Sequence, residues 1–317
     1  MITRLQTVGL FLAGALSLLP AAAAQGQSTT WTGGTGDWGT GANWSGGEPS
    51  ASVDALFQAV GTATVNQAGE SCRNLLLGTS GSVTLNVVAG GALAVMNRIQ
   101  VPVGAQGTIN QSGGSVTADS LVLGALGAFG DYEIEGGTLT VGHASIGPGV
   151  SGSGATMATK LGNPVVTVTH SLTLRSFSDF VAGTGTISVG TTAADSLVVF
   201  GTFQMNGTPT VNTTNFVMKN DSRLSATMTF IGMTPIVSSG AAILDGKLIV
   251  NDFGVANGTY ELVRGNPLSG AFDDVQLPAA GDWSWHIAGN SLFISKGPVA
   301  TETTTWSRIK LGKTGDR

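Results

Sequence analysis

Thr108-Ile-Asn-Gln-Ser-Gly-Gly-Ser-Val-Thr-Ala-Asp-Ser-Leu-Val-Leu-Gly124 is repeated in form, 23 residues later, by Asp131-Tyr-Glu-Ile-Glu-Gly-Gly-Thr-Leu-Thr-Val-Gly-His-Ala-Ser-Ile-Gly147. Each copy holds an alternating segment, a Gly-Gly pair, an apolar residue two positions on (Val116, Leu139) and an apolar pair closed by glycine. Working outward, Gly90-Gly91 stands 23 residues before Gly113-Gly114, with Val83-Thr-Leu85-Asn-Val87 ahead of it and Leu93 behind. The closing glycines Gly78, Gly104, Gly124 and Gly147 are 26, 20 and 23 apart, so loops trade a few residues while the period holds.

A fixed period with two-residue alternation inside it has a specific physical reading. One unit of two or three short strands cannot bury its own apolar face, whereas stacked coils bury a continuous core. The alternation sends Ile109, Val116, Leu121 and Leu123 inward and leaves Asn, Thr and Ser outside. Corner glycines supply the positive φ or tight bends that turn the chain between faces. A β-sandwich also uses short strands and glycine turns, but gives no reason for a constant period. The expected fold is therefore all-β: a single-stranded parallel β-helix (β-solenoid) with coils of about 23 residues and capped ends.

Between residues 70 and 250 about eight such coils fit, a rod of roughly 40 Å at ~4.8 Å per coil. Beyond residue 150 the period blurs. Ser151 to Met157 reads as a loop. Strands are expected at Val165 to Val168, Leu172 to Leu174, Thr186 to Val189, Leu197 to Phe200, Phe216 to Met218, Met228 to Ile231, Ile243 to Leu244 and Leu248 to Val250. Phe177, Phe180, Phe200, Phe203, Phe216 and Phe230 read as larger fillers of a wider core.

Composition agrees. Glycine supplies 48 of 317 residues and charged residues only 10%, with a net charge of −5. In-register stacking would set like charges in ladders, which explains their scarcity. Fourteen thinly spread basic residues leave no footprint for nucleic acid. Arg4, the apolar run Val8 to Leu19 and the small-x-small pair Ala22 and Ala24 read as a signal peptide over residues 1–24, cut before Gln25. No later run is long and apolar enough to span a bilayer, so no transmembrane segment is expected in the mature chain. Cys72 is the single cysteine, which rules out an intramolecular disulfide framework and a Cys-based zinc cluster. After the leader, the expected divisions are 25–69, a Trp/Gly-rich cap and first coil; 70–250, the coils; 251–296, cap strands; and 297–317, a basic tail.

The two ends differ from the middle. The N-terminal part reads Trp31-Thr-Gly-Gly-Thr-Gly-Asp-Trp38-Gly-Thr-Gly-Ala-Asn43-Trp44, and the repeats include Gln111-Ser-Gly-Gly-Ser-Val116. The C-terminal part reads Gly258-Thr-Tyr260-Glu-Leu262-Val263, then Gly270-Ala-Phe272-Asp-Asp-Val275, with Leu292-Phe-Ile294 closing. Over residues 30–296 this resembles autotransporter-passenger-like secreted β-helix proteins of bacteria. The resemblance implies export and a β-helix architecture, and it specifies no activity. The chain departs from the pattern after Lys296, where 21 residues are too few for a translocator barrel.

Candidate sites are few. Trp31, Trp38 and Trp44 form either a stacking platform for a sugar ring or an apolar plug on the first coil, and Trp283 and Trp285 have the same two readings. Glu133 and Glu135 share one outward face; such a pair can serve as acid and base, or simply face solvent. His143, His170 and His286 have no ligand spacing, and no metal or other cofactor is expected. Thr167-Val-Thr169 hints at an ice-binding rank without regular repetition. In the tail, Thr303 to Lys310 weakly resembles short tails of other exported bacterial proteins and suggests a sorting signal. The expected function is a secreted, non-enzymatic surface or extracellular structural and adhesive component. The other classes are a glycan-binding or glycan-cleaving β-helix and a self-assembling filament subunit. Surface glycans, extracellular proteins or further copies assembled end to end are the expected partners.

Overall fold

The computed structural model describes residues 27–124, 128–147 and 154–297. The leader 1–24 and nearly all of the basic tail, including the Thr303 to Lys310 motif, lie outside the described residues. The chain is a parallel β-solenoid of three faces. Face 1 is an 11-stranded sheet that runs from Thr35–Asp37 to Asp274–Gln276. Its register carries one position through Thr35, Thr62, Thr84, Thr108, Asp131, Thr156, Asp179, Thr202, Arg223, Lys247 and Asp274. These ten steps average about 24 residues, close to the expected period.

Faces 2 and 3 form one 19-stranded sheet. In the middle coils, single bent strands serve both faces: Ala92–Val101, Ser115–Leu123 and Thr138–Ile146. Farther on they separate into pairs such as Val165–Val168 with Leu172–Leu174 and Thr186–Val189 with Leu197–Val199. Among the described residues the helical content is one 3-10 turn, Gly41–Asn43.

Alternation makes one inward ladder per face. Face 1 stacks Leu85, Ile109, Tyr132, Met157, Phe180, Phe203, Leu224 and Leu248. Face 2 stacks Leu93, Val116, Leu139, Val166, Ile187, Val211 and Ile236, and face 3 stacks Leu75, Ile99, Leu121, Ala144, Leu172, Leu197 and Phe216. All of these side chains are buried, each large one contributing ~1.5–3 kcal/mol. Phe180 stacks on Phe203 at 5.3 Å.

Three expectations need correction. The segment read as a loop contains the face 1 strand Ala155–Thr159, whose Met157 is buried; small alternating residues hide the pattern. The strand expected at Met228 to Ile231 is Arg223–Thr229, and Phe230 and Ile231 protrude where the chain turns back at Gly232. Of the six phenylalanines, Phe180, Phe203 and Phe216 fill the core, while Phe177, Phe200 and Phe230 point outward because they sit at corners, where alternation lapses.

Both ends are covered. At the N-terminus Trp31, Trp38, Trp44 and Phe57 pack ring against ring, with centroids 4.8–6.1 Å apart. At the C-terminus Gly258–Arg264 and Trp283–Ala288 flank Ser291–Lys296 antiparallel, reversing the strand direction and closing face 2.

Candidate functional site

The tryptophans of the N-terminal cap are 1%, 0% and 4% exposed, so their ring faces meet one another and not solvent. This corrects the platform reading for Trp31, Trp38 and Trp44: their apolar area closes the first coil. Trp283 and Trp285 are partly buried against the C-terminal cap; Lys296 Nζ lies 5.5 Å from the Trp283 ring centre, and its indole N–H donates to the Ala280 carbonyl at 2.9 Å.

Glu133 points outward from Gly130–Ile134, opposite Asn110 of the previous coil, and its carboxylate meets Lys160 Nζ at 2.7 Å. Glu135 lies one residue past the strand and lines a shallow depression of about 420 Å³ with Lys160, Leu161, Val181, Thr184 and Asn206. Beside them, burial raises the Asp131 carboxyl above its ordinary range, opposed by a hydrogen bond with Thr156 and reinforced by the nearby Glu133 charge. The lysine that neutralises Glu133 makes this a paired surface cluster more than an acid–base dyad.

His143 and His170, far apart in sequence, stack at 4.6 Å on neighbouring coils, and His170 Nδ1 lies 3.6 Å from Asp195. Asp195 is itself held by the Thr191 and Thr192 amides and the Thr192 hydroxyl, which keep its carboxyl below the usual range. His286 lies elsewhere, stacked on Phe293. Among the described residues no three His, Cys, Asp or Glu side chains are grouped so as to hold a metal ion.

A second depression, about 590 Å³, opens where face 3 turns into face 1, and sequence reasoning missed it. Three successive coils contribute corresponding pairs: Phe177 with Asp179, Phe200 with Thr202, and Asp221 with Arg223. Phe177 is 57% and Phe200 40% exposed. The Asp179, Asp221 and Arg223 side chains make no hydrogen bond or ion pair among the described residues, unlike Asp54, which takes a bidentate bond from Arg73. The floor is tight: a Cβ on Gly201 would stand 2.5 Å from the carbonyl oxygens of Arg175 and Ser178. The sequence signal was the pattern Phe-x-Asp, Phe-x-Thr, Asp-x-Arg at spacings of 23 and 21, visible only once the register is known.

Comparison with protein-family models, with curated proteins and with solved structures gives no match. Among the described residues no helix is long and apolar enough to cross a membrane.

Proposed function

We propose that the protein is an exported, non-enzymatic β-solenoid that serves as a cell-surface or extracellular structural and adhesive component. The observation that carries this reading is a rod of about ten coils, closed at both ends, whose side chains stand in register along its whole length. Such a surface can bind a long partner at many weak points, so that the contacts add as avidity without any deep pocket. Closed ends favour a discrete rod over an open filament. The passenger-like motifs of the sequence agree with export.

A glycan-directed version is favoured by one specific observation, the exposed phenylalanine corner of face 1. The test uses the chain beginning at Gln25 on surfaces coated with extracellular polysaccharide, with retention and released reducing ends measured together. Retention without release supports the adhesive reading. Release that disappears in Glu133→Gln and Glu135→Gln would make the protein an enzyme and overturn it.

A further inference from the structure

We infer that the corner formed by Phe177, Phe200, Asp179, Asp221 and Arg223 is a binding site for a neutral, extended polysaccharide chain. This deepens the adhesive reading and rests on it.

Backbone conformation is the first argument. At the same corner, other coils turn through left-handed glycines: Gly78 at φ +67°, Gly124 at +75°, Gly147 at +98° and Gly246 at +66°. Two coils place other residues in that region, Phe177 at φ +62° and Asp221 at +65°, and both line this depression. Aspartate tolerates the left-handed region, whereas a bulky aromatic residue there is an outlier. Strain of this kind persists where the surroundings enforce it, and it clusters at ligand sites.

The exposed chemistry is the second. Among the described residues Phe177 and Phe200 stack on no other ring, and their exposure costs hydrophobic free energy that burying them in the core would recover. Their faces suit the C–H faces of pyranose rings. Asp179, Asp221 and Arg223 offer two carboxylates and one guanidinium, all without hydrogen-bond or ion-pair partners among the described residues, as paired acceptors and donors for vicinal hydroxyls. Two carboxylates against one guanidinium disfavour a polyanionic glycan. Adjacent coils rise by ~4.8 Å, about the length of one sugar unit in an extended chain, so the two rings can seat consecutive units. The ridge continues past Gly154, whose missing side chain leaves room for the exposed ring of Phe129, 3.2 Å from where its Cβ would be.

Affinity electrophoresis of the full chain in gels holding hydroxyethyl cellulose, galactomannan or dextran, with polygalacturonate as the charged control, tests the site. The expected result is retardation by at least one neutral polymer, weakened tenfold or more in Phe177→Gly and in Phe200→Ala. Phe177→Gly should keep or raise Tm, because glycine relieves the strained φ, so its loss of binding cannot be blamed on unfolding. Arg223→Gln supplies an independent surface variant and should lose affinity at unchanged Tm. No retardation by any neutral polymer, retardation by polygalacturonate alone, or equal retardation of the variants would overturn the site. Equal retardation of wild type and variants would leave the adhesive rod standing, whereas released reducing ends would overturn that reading and leave the variants' loss of binding intact.

Discussion

Glu70 closes the N-terminal end of the face 2 inward ladder, directly before Leu93, and is 2% exposed. Burial, a shared hydrogen bond with Glu48 and the Glu48 charge push its carboxyl up to about 7, against the opposing bond from Gln67 at 2.6 Å. Between the ordinary 4.5 and about 7 the folded chain therefore binds more protons than the unfolded one. The Glu70 contribution to stability then falls as pH rises through that window and levels off above it, a loss of roughly 1–3 kcal/mol. Glu70→Gln should match the parent in Tm near pH 4 and exceed it at pH 8; parallel Tm curves would refute the assignment. The tryptophan cap gives a second comparison. Trp44 Nε1 donates to the Trp38 carbonyl at 2.8 Å, whereas Trp38 Nε1 is buried without a partner among the described residues. Trp44→Phe should thus cost ~1 kcal/mol more than Trp38→Phe in urea unfolding. Cys72 is buried beside Asp54, and desolvation first, then that charge, raises its thiol far above the ordinary range. It should stay unreactive toward a thiol reagent until the chain unfolds.

At the scale of the element, the Gly-Gly turns are held by neighbouring backbone. Gly114 has φ +63° and a Cβ there would stand 2.2 Å from the Gly91 carbonyl oxygen; Gly137, at φ +77°, stands in the same relation to Gly114. Stacking at ~4.8 Å leaves no room for a methyl group at these two steps. Gly114→Ala should cost at least ~2 kcal/mol, from the strained φ and the clash together. Gly47, at φ +83° with nothing within 4 Å of its Cβ position, is the control. Gly47→Ala should cost only ~1 kcal/mol, and equal denaturation midpoints for the two variants would show that stacking is not the cause. These turns were legible in the sequence because the constraint acts on a single residue type at a fixed period. The strand Ala155–Thr159 was not, since alanine and threonine do not declare which side faces inward.

The whole molecule is quasi-one-dimensional: each coil contacts its neighbours, and stability accumulates by stacking. Its vulnerable points are the ends, where strand edges would lie open without short terminal strands and caps. Face 1 ends on three-residue strands, Thr35–Asp37 and Asp274–Gln276, too short to template further pairing effectively. The antiparallel cap covers the end of face 2, tied by Lys296, whose Nζ meets Asp252 at 2.7 Å and the Val255 carbonyl at 2.7 Å. A chain ending at Val250 should expose the last coil and self-associate in sedimentation velocity, while the parent remains a single species. A monomeric truncated chain would mean that the cap is not what prevents end-to-end growth.

Sequence by itself determined the class, the period and the inward ladders, because steric and hydrophobic rules at glycine and at alternating positions act locally. It also announced distinct ends, through tryptophan clusters that recur nowhere in the coils. Only tertiary structure decided between platform and plug for Trp31, Trp38 and Trp44, since the two use the same residues and differ only in what covers them. The Phe177 corner belongs there too. Phe177, Phe200 and Asp221 come from three coils, and whether a phenylalanine fills the core or faces solvent depends on its place in the coil, which propensity cannot register. The meeting of His143 with His170 has the same origin: a variable loop length sets the register, and register decides which distant residues become neighbours.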